Sequence, residues 1–423
     1  MSATRRIRSS AAPSGQRGGI AIIVALSGAA LLGFIGIALD VGRLYINKTE
    51  LQTAADACAL AASAQLTCDA PPGGNCPASY LQNAQAAGLF AAGRNRRDFQ
   101  SGAVLLTAND VKFSTALAPN ANYLSVANGA APNSKYVMCT ATAAGILPWF
   151  MAALGAGAQT VTSAGVATRA PSASFCNGAP IGICNKPGGY AVGEWIASAF
   201  NSAGSNDDVT GNFRWIDYTP NAGGNSEIRD QLAGSAGVCG IRVGDNVSQP
   251  GTQQGAKSAW NTRFGIYPNG ANAYTATTAP PDRTGYAYPN KAPGNPVIGI
   301  NTSAYNDYQT RQGANTGFID NEYGVSGPGG NFSGNPSPAA DHQQRGTSRR
   351  LVAAPLIDCG GPNSTPITGM ACILMLNPMS NGASGTIYLE YRGLASAAGS
   401  PCGTGGFAGG PAAGGPQVPT LVQ

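Results

Sequence analysis

The chain has 423 residues, with 59 glycines, 29 prolines, 11% charged residues and a formal net charge of +5, enough length for two or three domains but a loop-rich, lightly charged composition. Its arginines are scattered and form no dense basic stripe, so nucleic acid is not an expected partner. Ten cysteines with a single histidine speak against zinc, whose ligand pairs are usually roughly two to four residues apart with histidines nearby, and for disulfides in an oxidising compartment.

In chain order the first element is an apolar run from Ile20 to Leu39 without a charge. At about 1.5 Å per residue it reaches about 30 Å, the thickness of a bilayer's hydrocarbon core, which predicts a transmembrane helix. Arg5, Arg6, Arg8 and Arg17 precede it with no acid, whereas Asp40, Arg43, Lys48, Glu50 and Asp56 nearly balance after it. The positive-inside rule then keeps residues 1–19 cytoplasmic and places the bulk of the chain in the periplasm or outside. A cleaved signal peptide, cut at Leu39 behind Gly36 and Ala38, is the competing reading, but the apolar core is long for one. Prepilin cleavage after Gly19 usually wants a Glu five residues on, where Val24 stands. Ala21, Ala25, Ala29 and Gly33 repeat every fourth residue, which fits either a packing ridge for another helix in lipid or a segment simply rich in alanine.

Beyond Leu39 the apolar period continues through Ile37, Val41, Leu44, Lys48, Leu51, Ala55, Cys58 and Ala62, with Arg43, Asn47, Glu50 and Asp56 assigned to other faces. One helix is therefore predicted from the membrane to about Gln65, stopped by the Pro and Gly of "CDAPPGGNC". The stripe is read as packing on this chain's own next domain rather than in a coiled coil. The stretch "RGGIAIIVALSGAALLGFIGIALDVGRLYINKTELQTAADACALAA" resembles the N-terminal segment of the TadE/TadG-like family of Flp (tight-adherence) pilus assembly proteins. The resemblance rests most on Asp40, Gly42, Arg43, Leu51, Gln52, Ala54, Ala55, Asp56 and Ala57, and departs at Cys58, where alanine is expected. It implies a single-pass bacterial inner-membrane protein that works with pilus or secretion components.

Further along, an Ala-rich helix from Tyr80 to Gly93 precedes predicted strands at "AVLLTA", "DVKFSTAL", "KYVMCTAT" and "QTVTSAGVATR", interrupted by a short helix in "PWFMAALG" with Pro148 at its first position. A long helix on a small antiparallel sheet is a pilin-like arrangement for residues 40–170, and it would make Cys58 and Cys139 possible neighbours. Residues 171–392 read as a second, mostly β, disulfide-containing extracytoplasmic domain. Its strands are "NFRWIDY", "IRVGDNV", "RRLVAAPLIDCG", "ITGMACILMLNPMS" and "GTIYLEYRGL", the last two joined by an Asn381-Gly382 turn, with helices in "NSEIRDQLAG" and "GTQQGAKSAWNTRFG". Pro268 to Arg345 is expected to form long surface loops, and 393–423 a flexible tail pinned only by Cys402. The fold class is thus α+β.

Close spacing pairs Cys68 with Cys76, Cys176 with Cys184 and Cys359 with Cys372, leaving Cys239 and Cys402 open. His342, in "AADHQQRG", is read as an exposed loop residue without the partners acid-base chemistry needs, and neither a nucleophile elbow nor a phosphate loop accompanies it. "NDDVTGN" and "DNEYG" offer oxygens for calcium without EF-hand spacing and are read as turns. Tyr267, Tyr274, Tyr286, Tyr288, Tyr305, Tyr308 and Tyr323 form either a contact surface or a seal for a domain short of Leu and Phe. The expectation is a membrane-anchored, non-catalytic component of Flp/Tad pilus assembly, without cofactor or metal, touching the lipid bilayer and pilus or secretion proteins. A membrane-tethered adhesin or ligand-binding protein is the alternative, with its small-molecule ligand open, and a hydrolase built on His342 is a third reading.

Overall fold

The computed structural model describes residues 17–68, 76–117, 121–201, 206–219, 224–270, 274–289, 298–300, 302–317, 335–361, 363–380, 385–403, 406–409 and 413–422. The basic arm through residue 16, the "DAPPGGN" stop, "DNEYG" with Tyr323, and the Asn381-Gly382 turn lie outside them.

Helix α1 (Arg17–Ala64) is unbroken over 48 residues. Its alanines and leucines favour the helix throughout, and its last turn tightens into three-residue bonds from Gln65 and Leu66 back to Ala62 and Ser63. Helix α2 (Ala78–Ala92) crosses its end closely. A Cβ on Gly88 would lie 3.0 Å from Cys58 Sγ and 3.2 Å from Ala62 Cβ, so even a methyl there would press the two helices apart by a few tenths of an ångström. Three antiparallel strands follow, β1 (Val111–Ser114), β2 (Tyr136–Ile146) and β3 (Gln159–Cys176); β2 and β3 pack on α1 and β1 on α2. Period-2 alternation puts Val137, Cys139, Ala141 and Ala143 of β2 inward.

Strand β3 runs through the boundary drawn between residues 170 and 171. Its far half pairs with Cys239–Ile241, Gly406–Ala408 and Gln417–Leu421, so the tail belongs to the sheet and is not the flexible segment expected. Val418 is buried, and Pro419 is tolerated because Gln417–Leu421 is an edge strand whose missing N–H breaks no ladder bond. Of "AVLLTA", only Ala103, the end of the two-residue strand Gly102–Ala103, is strand: Val104 is buried and Leu105 is 82% exposed, which gives one inward anchor rather than a paired ladder.

The second sheet has eight strands. It contains β4 (Ile181–Cys184), β5 (Trp195–Asn201), β6 (Asn206–Gly211), β7 (Phe213–Trp215), β8 (Leu351–Ile357), β9 (Gly369–Met375) and β10 (Gly385–Leu394). Their order is β6-β5-β10-β9-β8-β4-β7, with Gln253–Gln254 at the β6 edge, and only β4 and β8 run parallel. Both faces are covered, which is why β9 reads as a continuous apolar run. Ala371, Ile373 and Met375 face a cluster that includes Trp215 and Trp260, while Met370, Cys372 and Leu374 face the opposite side. "NDDVTGN", read as a turn, is strand β6, because pairing with β5 overrides the turn preference of Asn and Asp.

The expected long loops of 268–345 carry two short helices, Tyr305–Ala314 and Ala339–Arg345. Tyr286, Tyr288, Tyr305 and Tyr308 are buried against Trp195, Leu374 and Leu376, so these tyrosines seal the sheet rather than present a contact surface. Tyr267 and Tyr274 are partly buried against the other face.

Candidate functional site

The residues singled out on α1 fall at three levels along the helix. At the membrane level Ala21, Ala25, Ala29 and Gly33 are exposed, and nothing lies within 4 Å of a Cβ built on Gly33. No described element of this chain packs on that ridge.

At the second level the helix turns a polar side inward. Asp40 is buried and accepts the backbone N–H groups of Trp149 at 2.6 Å, Phe150 at 2.9 Å and Met151 at 2.6 Å, which fastens the start of the short 3₁₀ turn Met151–Leu154 to α1. Loss of water pushes the Asp40 carboxyl up, and the three N–H donors with Arg43 outweigh it, holding the group below the ordinary carboxylate range. Arg43 donates Nε to Asp98 Oδ1 at 2.8 Å and Nη2 to Asp98 Oδ2 at 2.7 Å, a bidentate fork, and Nη1 to the Leu147 carbonyl at 3.0 Å. Its guanidinium also lies 4.6 Å from the Trp149 ring centre. Hydrogen bonds from Arg43 lower the Asp98 pKa, and Asn47 Nδ2, at 3.3 Å, adds to this. Asp98, Phe99 and Gln100 all have left-handed φ angles, of 54°, 58° and 65°. Such a run costs about 1–3 kcal/mol per residue and persists only where neighbours hold it. Here Arg43 and Asn47 hold Asp98, and Gln100 Nε2 donates to Glu50 Oε1 at 3.0 Å.

This corrects the predicted stripe. Ile37 and Val41 are 39% and 53% exposed and Lys48 is exposed, whereas Asp40 and Asn47 are buried. Counting apolar residues as the inward ones misplaced the face here, because the loops that pack on it present amides and a carboxylate rather than apolar side chains. Gly42 has nothing within 4 Å of a Cβ position and takes no part in the clamp.

At the third level α1 is apolar inward. Leu51, Ala54, Ala55, Cys58, Ala59 and Ala62 are buried. Gln52 Nε2 donates to Asp56 Oδ1 at 2.8 Å and to the Ala164 carbonyl at 3.0 Å, and Ala57 is half-buried. Asp56, assigned to an outer charged face, lies against β3: a Cβ on Gly165 would sit 2.3 Å from its Oδ1 and 3.1 Å from its Cα. Helix and sheet touch there at backbone distance.

All ten cysteines pair. Cys58–Cys139 ties α1 to β2, and Cys68–Cys76 joins as expected from their spacing. The other two expected pairs are wrong: the bonds are Cys176–Cys239, Cys184–Cys359 and Cys372–Cys402. Strand geometry is the reason. Cys176 stands opposite Cys239 in register, and β4 carries Cys184 to Ile357 beside Cys359. Cys372 stands opposite Ala353, roughly six residues and about 20 Å of strand from Cys359.

Two buried polar groups of the second sheet's surroundings are held by backbone carbonyls. His342, expected on the surface, is buried, with Nδ1 2.7 Å from the Asp282 carbonyl oxygen. Arg350 is buried and donates to the carbonyls of Met375, Thr284, Tyr286 and Leu376, and its guanidinium lies 4.4 Å from the Phe264 ring centre. A cleft of about 620 Å³ is lined by Tyr80, Lys135, Tyr136 and Arg169. Arg169, whose pKa burial pushes down to about 10, already donates to the carbonyls of Leu66, Ser400 and Cys402. That makes it a strut between α1 and the C-terminal segment rather than a ready anion ligand.

The two lower levels of α1, a polar clamp and a small-residue seam, follow directly on one apolar span. Residues 18–65 match the family model of putative Flp pilus-assembly TadE/G-like proteins. The match begins at the span and ends one residue past α1, so the TadE/G-like segment is the membrane-length helix together with its clamp and seam. It associates the chain with Flp pilus assembly. No curated protein and no solved structure matches the chain. Sequence reading found Asp40, Arg43 and the seam through the TadE/G-like pattern; it missed Asp98 and the 147–151 amides, which reach the helix only through the fold.

Proposed function

We propose that the chain is a single-pass, non-catalytic component of Flp/Tad pilus assembly, anchored in the bacterial inner membrane with its N-terminus cytoplasmic. Helix α1 joins the membrane to a disulfide-stapled body on the far side, where it meets pilus or secretion proteins. The observation that carries this reading is the coincidence of the TadE/G-like segment with a helix long and apolar enough to span a bilayer, running unbroken into the clamped body. The basic residues before the span support the orientation. Five disulfides support an oxidising compartment.

The test is photo-crosslinking in native membranes from positions on the exposed side of α1, followed by identification of the captured proteins. Capture of pilus-assembly components, together with loss of piliation when the chain is deleted, is the expected result. A chain that crosslinks to none of them and whose deletion leaves pili unchanged overturns the reading.

A further inference from the structure

The turn between β2 and β3, residues 147–154, shows a cluster of large apolar side chains outward. Leu147 is 63% exposed, Trp149 55%, Phe150 49% and Leu154 75%; Phe99, 53% exposed, stacks on Trp149 with ring centres 6.3 Å apart. No charged residue occurs from Tyr136 to Thr168. The cluster also lies beside the membrane span rather than below it, since a Cβ on Gly36 would lie 2.7 Å from Phe150 Cβ. Gly36 is within the uncharged run that ends at Leu39, so Phe150 reaches about 5 Å inside the outer end of that run at 1.5 Å per residue. Phe150 covers Gly36, which is buried although its helical neighbours are exposed, so the outer side of Phe150 meets the medium that surrounds the run at that height.

We propose that this turn, with Phe99, is a second membrane contact, seated in the interface of the leaflet from which α1 emerges. The proposal rests on the reading of Ile20–Leu39 as a bilayer span. Its occupant is lipid because the cluster is continuous with the lipid-length run at Gly36, the turn 147–154 itself carries no charged residue, and the N–H groups at its head are met internally. The N–H groups of Trp149, Phe150 and Met151 go to Asp40, and the Leu147 carbonyl goes to Arg43. Backbone groups so satisfied can enter an apolar medium without the cost that excludes open loops from bilayers. Trp149, with an apolar ring and the Arg43 guanidinium on its face, has the amphipathic character that places tryptophan at membrane interfaces. Two contacts, the helix and the turn, fix the tilt of the body on the membrane where a helix alone leaves it free to swivel. On this view the Asp40–Arg43 clamp keeps the turn at membrane height.

The test is tryptophan fluorescence of the full chain reconstituted in phosphatidylcholine/phosphatidylglycerol vesicles whose acyl chains carry bromine at shallow or deep positions. Trp195, Trp215 and Trp260 are buried in the protein and give a constant background. Trp149 emission should be lost preferentially with shallow bromine and shielded from aqueous iodide, and Trp149→Phe should remove that quenchable component. Leu32→Trp in the Trp149→Phe background reports the span, and deep bromine should quench it. If Leu32→Trp is quenched but the wild-type protein behaves like Trp149→Phe towards bromine, the proposal fails alone, and the cluster is solvent-exposed or covers a protein partner. If Leu32→Trp is not quenched, the span reading fails and the second contact falls with it.

Discussion

Around α1 the chain packs by omission of side chains. Ala54, Ala55, Ala59, Ala62, Gly88 and Gly165 bring helix to sheet and helix to helix at near-backbone distance, and Cys58–Cys139 fixes the approach. The eight-stranded region does the reverse. It fills space with Trp215, Trp260, Tyr286, Tyr288 and Tyr308, and buries Arg350 among backbone carbonyls. Close packing of small residues is sensitive to added volume, whereas a core of large groups tied by a cation is sensitive to removal. The two regions should therefore respond oppositely to the same kind of change.

The largest effect is expected from Arg350→Met. The carbonyls of Met375, Thr284 and Tyr286 lose the guanidinium donor, while that of Leu376 keeps the Tyr288 N–H, and each buried acceptor left unpaired costs about 1–3 kcal/mol. Chemical denaturation followed by the emission of buried Trp215 and Trp260 should show the midpoint fall sharply. An unchanged midpoint would mean that the second core does not depend on the cation, and the contrast between regions would go with it.

Ala55→Trp comes next. A large ring inserted into a fully buried seam overpacks it by about 1–3 kcal/mol, occasionally more. Gly165→Ala probes the same seam from the sheet, since its new methyl meets both the Asp56 carboxylate and the helix backbone. Protease resistance in membranes is the readout. If both variants match wild type while Arg350→Met fails, only one of the two packing modes limits stability.

Much of this was legible in the sequence where one residue decides a local property. The span, the length of α1 and the alternation of β2 follow from uncharged length, an uninterrupted helical composition and period-2 burial. The clamp was half legible: Asp40 and Arg43 stood out, but their partners lie roughly 55 to 110 residues away, at Asp98 and in the 149–151 amides. Two cysteine pairings failed for the same reason, because strand register rather than loop length brings Cys176 to Cys239 and carries Cys184 to the end of β8 beside Cys359. The tail failed because "QVPTL" is short and contains Pro419, and becomes a strand only when the β3 edge is there to receive it.

The clamp should show itself through pH. Asp98 and Asp40 both titrate below the ordinary carboxylate value, so their contribution is complete above the unfolded value of about 3.9 and is lost as pH falls through the folded value. The Arg43–Asp98 pair is partly exposed, with side-chain accessibilities of 15% and 23%, so screening holds its worth to about 0.5–1 kcal/mol. Asp98→Asn should lower the melting temperature at neutral pH, and the gap to wild type should close below about pH 4. A gap that stays constant down to strongly acid pH would show that the charge of Asp98 is not what holds the turn.

The smallest effect is expected at Val41, which sits one residue after the clamp's carboxylate yet points away from the body at 53% exposure. If packing follows the structure rather than the apolar count, Val41→Ser removes no buried contact and should change unfolding in detergent by no more than about 0.5 kcal/mol. Asn47→Leu supplies the converse. It swaps a buried amide that donates to the Arg43 carbonyl and to Asp98 for an apolar group of similar size, and it should destabilise more than Val41→Ser although it adds hydrophobicity. If the order is reversed, the inward face of the juxtamembrane helix is the apolar one and the clamp is assigned to the wrong side. If Val41→Ser folds normally but piliation falls, the exposed face of α1 beyond the membrane is where a partner lies, and the polar side is given over to holding the body.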